Sequence, residues 1–236
     1  MKRGAPEPED DQGLGFSTVI ASTVHDMKNS LGMLMQAHSA LAERLPPELG
    51  SSREQGIIEY ESMRLNGMLV QMLGLYKLGV NQLPLQPVHI EVDDFFQAAL
   101  ARHQEILHSR HIHGSYEVSE EGLMGFFDAE LVGSVVGNVI NNSIRYAKSA
   151  IHLRAWVEQE QLVLAISDDG QGYPPRMLEA QSDYVLGINM SSGSTGLGLY
   201  FGARIAERHQ RNGVQGRIAI SNDSELGGGE FRIYLP

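Results

Sequence analysis

Asn138 and Asn142 stand four residues apart in GNVINNSIRYA, with Arg145 three further on, so a helix sets all three on one face. Amide oxygens in this arrangement suit a hard Mg²⁺ ion that keeps several waters and shares phosphate oxygens, and the arginine offsets phosphate charge. A solvated polar helix face has the same pattern. Downstream, the apolar run VLAIS leads into DDGQGYP, where Asp168 ends the run and Gly170 and Gly172 let the backbone bend tightly beside a ligand. A carboxylate fixed there accepts a hydrogen bond from an exocyclic amine, although an ordinary Asp-Gly turn reads the same way. Finally, SSGSTGLGLYFGARIAERH sets Gly193, Gly196 and Gly198 before an amphipathic pattern. Backbone N–H groups at a glycine-rich helix N-terminus make a phosphate site, yet neither the Rossmann nor the Walker pattern fits this run.

A nucleophile is offered in the first half, where His25 lies in HDMKNSL with Asp26 adjacent and Asn29 one helical turn on. His25 falls one position off the apolar seam of its helix, on the solvent side. His38 falls on the seam itself, where a bundle-interior histidine is the simpler reading. The cluster His103, His108, His111 and His113 matches no paired-ligand metal spacing. Asn141-Asn142-Ser143 matches a glycosylation sequon by chance.

The elements that must position these residues divide in two. From Phe16 to Leu45, Ile20, Val24, Met27, Leu31, Leu34, Leu41 and Leu45 alternate at intervals of four and three around His38. A helix of about 30 residues runs about 45 Å, too long for one small core to cover. Pro46 and Pro47 stop it, Gly50-Ser51-Ser52 turns the chain, and a second helical pattern follows through Leu65, Met68, Met72 and Leu75. Such a hairpin covers its remaining apolar positions, Leu69, Leu73 and Leu78 among them, by pairing into a four-helix bundle, which predicts a homodimer.

Beyond Pro84 and Pro87 the pattern predicts a strand at 88–90 and a helix at 94–108. Strands at 112–118 and 124–127 follow, then a helix at 129–147 and strands at 151–158 and 162–167 about the turn Gln159-Glu160-Gln161. The mixture, with hairpin-type connections, predicts an α+β sandwich. The expected division is an acidic tail at 1–14, a helical hairpin at 15–83 and a second domain at 84–236.

With 236 residues, two domains fit the length, and a net charge of −11 argues against a partner bound through nucleic-acid phosphates. The absence of cysteine excludes thiolate catalysis and Cys-based zinc sites and fits a reducing compartment. No stretch has the length and apolarity of a membrane span or the form of a secretion signal, so the expectation is a cytoplasmic protein.

Taken in order, HDMKNSL, NVINNSIRYA, DDGQGYP, GSTGLGL and the closing GGGEFRIYLP resemble the H, N, G1 and G2 boxes and final strand of two-component sensor histidine kinases. The likeness runs through nearly everything after residue 15. It implies a dimerisation and phosphoacceptor hairpin followed by a GHKL-type ATP-binding domain, with ATP and Mg²⁺ as cofactors. His25 would be the phosphorylated side chain, Asp26 the residue that holds its imidazole, and Asn29 a residue that positions water for dephosphorylating a partner. Asn142 would ligate Mg²⁺, supported by Asn138, Arg145 and Tyr146. Asp168 would read adenine beside Gly170 and Gly172, and Thr195, Gly196, Leu197 and Gly198 would form the phosphate lid and its hinge. The implied partner is a response-regulator receiver domain, which takes the phosphoryl group on an aspartate.

Some positions depart from that family. Ser30 stands where many members carry proline, and Tyr184 is the candidate substitute for a phenylalanine missing between Gly172 and Gly193. With no sensor segment ahead of the hairpin in this sequence, a signal would come through another protein, a very small N-terminal element or the partner regulator itself. Two rival readings keep the architecture: a histidine phosphotransfer protein that no longer uses ATP, and a GHKL ATPase or serine kinase for which His25 is incidental.

Overall fold

The computed structural model describes residues 11–42, 44, 53–80, 83–179 and 197–236; the side chains of 11–21, 53 and 59 are left aside. Two long helices come first, α1 (Asp11–Ala42) and α2 (Arg53–Gly79). α1 begins at Asp11, inside the acidic stretch read as tail, where carboxylates favour a helix N-terminus. The Pro46-Pro47 stop and the turn after it lie outside the described residues. α1 and α2 pack against each other. On α1, Val24 is buried while Met27, Leu34 and Leu41 of the same seam are exposed.

The second half holds β1 (Val88–Glu91), α3 (Val92–Ala101), α4 (Gln104–Ser109), β2 (His113–Val118), β3 (Met124–Phe127), α5 (Ala129–Tyr146), β4 (Ala150–Glu158) and β5 (Gln161–Asp168). These are followed by α6 (Pro175–Glu179), α7 (Leu197–Arg208), β6 (Gln210–Arg211), β7 (Val214–Gln215), β8 (Arg217–Ser221) and β9 (Glu230–Leu235). A five-stranded sheet runs β2-β4-β5-β9-β8, and β1 with β3 forms a separate two-stranded piece. The expectation of hairpin-type connections holds for β4–β5 but not for β2 and β4, which are parallel and joined by a crossover through α5.

The single helix expected over 94–108 is two. His103 ends α3 by turning its buried ring back, with Nδ1 2.7 Å from the Ala99 carbonyl, while its own N–H takes the tighter bond to Leu100 O. The β4–β5 turn sets both Gln159 (φ 50°) and Glu160 (φ 62°) in the left-handed region, as a two-residue hairpin of matching twist requires.

α5 forms because its apolar residues recur with helical period: Val132, Val135, Val136, Val139, Ile140 and Ile144 are all buried. Each such side chain removed from water contributes about 1.5–3 kcal/mol. The Asp128 carboxylate caps its start, accepting from Glu130 N (3.1 Å) and Leu131 N (3.0 Å). Asp128 also accepts from Gln86 N, and its own N–H donates to the buried His209 Nε2 at 3.0 Å. The segment before β1 and the end of α7 are thereby tied to one capping residue. α3, α5 and α7 cover one face of the sheet, enclosing Phe96, Phe127, Phe201, Phe231, Leu153 and Ile166.

The opposite face is polar and closed by side-chain pairing. Glu230 is fully buried there, accepting from Ser167 Oγ (2.9 Å), Arg232 Nε (2.6 Å) and Arg154 Nη2 (3.3 Å). Both guanidiniums flank Trp156. A buried carboxylate survives only with such partners.

α2 adds a third layer, lying against α4, α5 and α7. Its Tyr60 is buried under the Arg110 guanidinium, 4.7 Å from the ring centroid, and Gly74 receives the Phe201 ring of α7.

Candidate functional site

α5 carries three of the expected site residues, and its neighbours bring the others to it. Asn138 is half-buried against Gly198 at the start of α7, so closely that any side chain at 198 would strike the Asn138 amide. This contact joins the asparagine face of α5 to the glycine-rich helix start. Asn142 is exposed one turn on, and Arg145 follows with its guanidinium 5.4 Å above the exposed Tyr146 ring. Thr195 and Gly196, like Tyr184 and Gly193, lie outside the described residues; Leu197 and Gly198 open α7.

Asp168 closes β5 and is buried, with both oxygens engaged. Oδ1 accepts from Gly170 N at 2.9 Å, and Oδ2 accepts from the Ser143 hydroxyl of α5 at 3.0 Å. The Asp168 N–H donates to Gly229 O on the far side. A side chain at Gly170 would lie 2.5 Å from Tyr146 O, and one at Gly228 would meet the Asp168 backbone. Both glycines are buried, and lacking a Cβ they let the α5 end, the Asp168 turn and the segment before β9 pack backbone to backbone around the carboxylate. Gly172 adopts φ +75° and leaves room for Asn222, whose amide bonds Tyr173 N and O.

Asp169 does different work. Its carboxylate accepts from Lys148 N (2.8 Å), Ser149 N (3.0 Å) and Ser149 Oγ (2.6 Å), stapling the α5–β4 loop to the end of β5. Burial pushes this carboxyl up, but the Ser149 and Lys148 hydrogen bonds outweigh it and hold the group down at about 2. Neither Ser143 nor Asp169 was singled out from the sequence; the only available signal was that each adjoins a residue that was.

His25 sits on α1 with its side chain 62% exposed. Asn29 Nδ2 is 3.3 Å from His25 Nδ1, and Asp26 Oδ1 is 3.6 Å from the same nitrogen. Both neighbours thus address Nδ1. Burial pushes the Tyr60 hydroxyl of α2 up, against the pull of Arg145 and Arg110.

Residues 127–236 match the family described as histidine kinase-, DNA gyrase B- and HSP90-like ATPase. Over 93% of its length the chain is 25% identical to the sensor protein kinase PilS of Pseudomonas aeruginosa, covering 40% of that protein. It is 24% identical to the sensor histidine kinase CpxA of Escherichia coli over 92% of its length, covering 46% of CpxA. Residues 127–236 thus carry the GHKL-type ATPase domain, and the chain as a whole is similar to sensor histidine kinases. It spans less than half the length of the curated relatives named here.

Solved structures share this fold. Full-length ShkA in complex with AMPPNP superposes with a TM-score of 0.64 at 18% identity, over 93% of this chain and 46% of ShkA. The Acinetobacter baumannii histidine kinase AdeS gives 0.57 at 17% identity, over 89% of this chain and 96% of that one. Among the described residues of the kinase core, no helix is long and apolar enough to cross a membrane.

Proposed function

We propose that this kinase core binds ATP with Mg²⁺ on α5, phosphorylates itself on His25 and passes the phosphoryl group to an aspartate of a response-regulator receiver domain. The observation that carries this reading is the convergence on one helix: α5 touches Asp168 through Ser143 and the start of α7 through Asn138. The named PilS and CpxA relatives support the same reading.

The residues present fit the cofactors. Asp168 is a buried carboxylate suited to accept from an adenine amine, and Asn142 is exposed one turn from Asn138, where its amide oxygen suits Mg²⁺. The described Asn141 Oδ1 is buried without a partner, a further oxygen on the same helix. Mg²⁺ bound with the triphosphate supplies charge neutralisation at the transferring phosphoryl group.

His25 supplies the nucleophile. With Asp26 and Asn29 both on the Nδ1 side, Nε2 is the nitrogen left to attack. A proton held on Nδ1 frees the Nε2 lone pair; the N–P bond forms as the bond from phosphorus to the ADP oxygen breaks. Asp26, 3.6 Å from Nδ1, is placed to attract that proton.

The kinase core acts here as a homodimer. Met27, Leu34 and Leu41 on α1, and Ile58, Leu65 and Met72 on α2, each recur every seven residues and are all exposed in the single chain. Two such seams are the requirement for a four-helix bundle.

The test incubates the protein with γ-labelled ATP and Mg²⁺. Acid-labile label that is lost in His25→Gln and in Asn142→Ala is the expected outcome. Label accepted only from a phosphorylated receiver would replace the kinase with a relay, and label surviving His25→Gln would replace it with an ATPase or serine kinase.

A further inference from the structure

Ser143 is buried on α5, one residue after Asn142, and the ATP-site reading gives it no role. A serine inside a helix commonly turns its hydroxyl back to the carbonyl four residues earlier. This one instead reaches across to the sheet and donates to Asp168 Oδ2 at 3.0 Å, while Gly170 N–H holds Oδ1 at 2.9 Å.

A carboxylate has about four acceptor positions. With one donor on each oxygen, Asp168 can neither rotate about its Cβ–Cγ bond nor recruit a mobile donor without losing a charge-assisted hydrogen bond. The lone pairs that remain point in fixed directions and accept only a donor. A 6-amino purine brings one to that position; a 6-oxo purine brings an acceptor and meets like charge. The Ser143 hydroxyl has no hydrogen left to offer a 6-oxo group, because that hydrogen lies on Asp168.

We infer that Ser143 is a positioning residue that sets purine selectivity, fixing the Asp168 carboxylate as a pure acceptor for the 6-amino group. This rests on the reading of Asp168 as the base-contacting carboxylate. Without the hydroxyl, Oδ2 loses its fixed donor, the carboxylate turns, and a water takes the vacated place. That water can donate to a 6-oxo group as readily as it accepts from a 6-amino group.

The experiment measures the affinities of ATP and inosine triphosphate, each with Mg²⁺, for the full chain and for Ser143→Ala and Ser143→Thr. The wild type is expected to prefer ATP. Ser143→Ala is expected to weaken ATP about ten-fold and to narrow the ATP-to-inosine-triphosphate ratio by about the same factor, the size of one hydrogen bond to a charged group. Ser143→Thr, which keeps the hydroxyl, is expected to restore the ratio. A Ser143→Ala ratio equal to that of wild type, whether both affinities fall or neither does, would show a purely structural serine and overturn the inference alone. A wild type that binds both nucleotides equally, or neither, would remove Asp168 as the base reader and the inference with it.

Discussion

Asp168 and Asp169 are neighbours with the same side chain and different tasks. Asp168 points inward to the Ser143 hydroxyl of α5 and is the carboxylate proposed to read adenine; Asp169 spends its oxygens on the α5–β4 loop and is held down at about 2. Because its folded pKa lies below the usual carboxylate value, Asp169 adds stability that is complete above about pH 4 and disappears as the pH falls through about 2. Asp169→Asn is therefore expected to be less stable than wild type at pH 7, with the gap closing between about pH 4 and 2. Urea denaturation across that range would measure it, and a gap independent of pH would refute the assignment. At this scale the sequence pointed to Asp168, Asn142 and the glycines as candidates, through the order of their runs rather than any one run alone. It did not disclose Ser143 or Asp169, since their value lies in hydrogen bonds between segments about 20 residues apart, which spacing along one segment cannot register.

Most elements were legible from periodicity and punctuation. β3 matches its expected bounds and α5 ends within one residue of them, because a strict apolar period and the Asp128 cap leave little choice. The break between α3 and α4 was not legible, since it depends on a buried His103 ring reaching the Ala99 carbonyl. Nor was the docking of α2 on α7. That contact is carried by Gly74, where a Cβ would lie 2.6 Å from Phe201 Cε2, and the ring is fully buried with no room to retreat. Gly74→Ala is thus expected to cost about 1–3 kcal/mol through overpacking, despite the usual gain in helix propensity of about 1 kcal/mol from replacing glycine by alanine. Thermal or urea unfolding would decide: a stabilised Gly74→Ala would mean that α2 does not sit on α7 in solution.

At the scale of the whole molecule, the two long helices expose two heptad rows, while α2 also lends Tyr60, Leu75 and Leu78 to the core of the second half. The proposed dimer depends on those rows. Placing charge in both, as Leu34→Glu with Leu65→Glu, is expected to give monomers by sedimentation while nucleotide affinity is kept, since both are exposed and neither packs on the core. Monomeric wild type at micromolar concentration would rule the bundle out.

The sheet order also bears on how the chain is made. β9 lies between β5 and β8, and Asp168 N–H closes on Gly229 O, so the Asp168 carboxylate reaches its final setting only when a strand beginning 62 residues later arrives. At roughly 5–20 residues per second, the ribosome takes about 3–13 s to carry the chain from Asp168 to Leu235. Throughout that interval β5, buried at every position in the finished sheet, has an open edge. The nascent chain thus carries a hydrophobic strand awaiting its partner, and this window is where a chaperone or a premature encounter between growing chains would act.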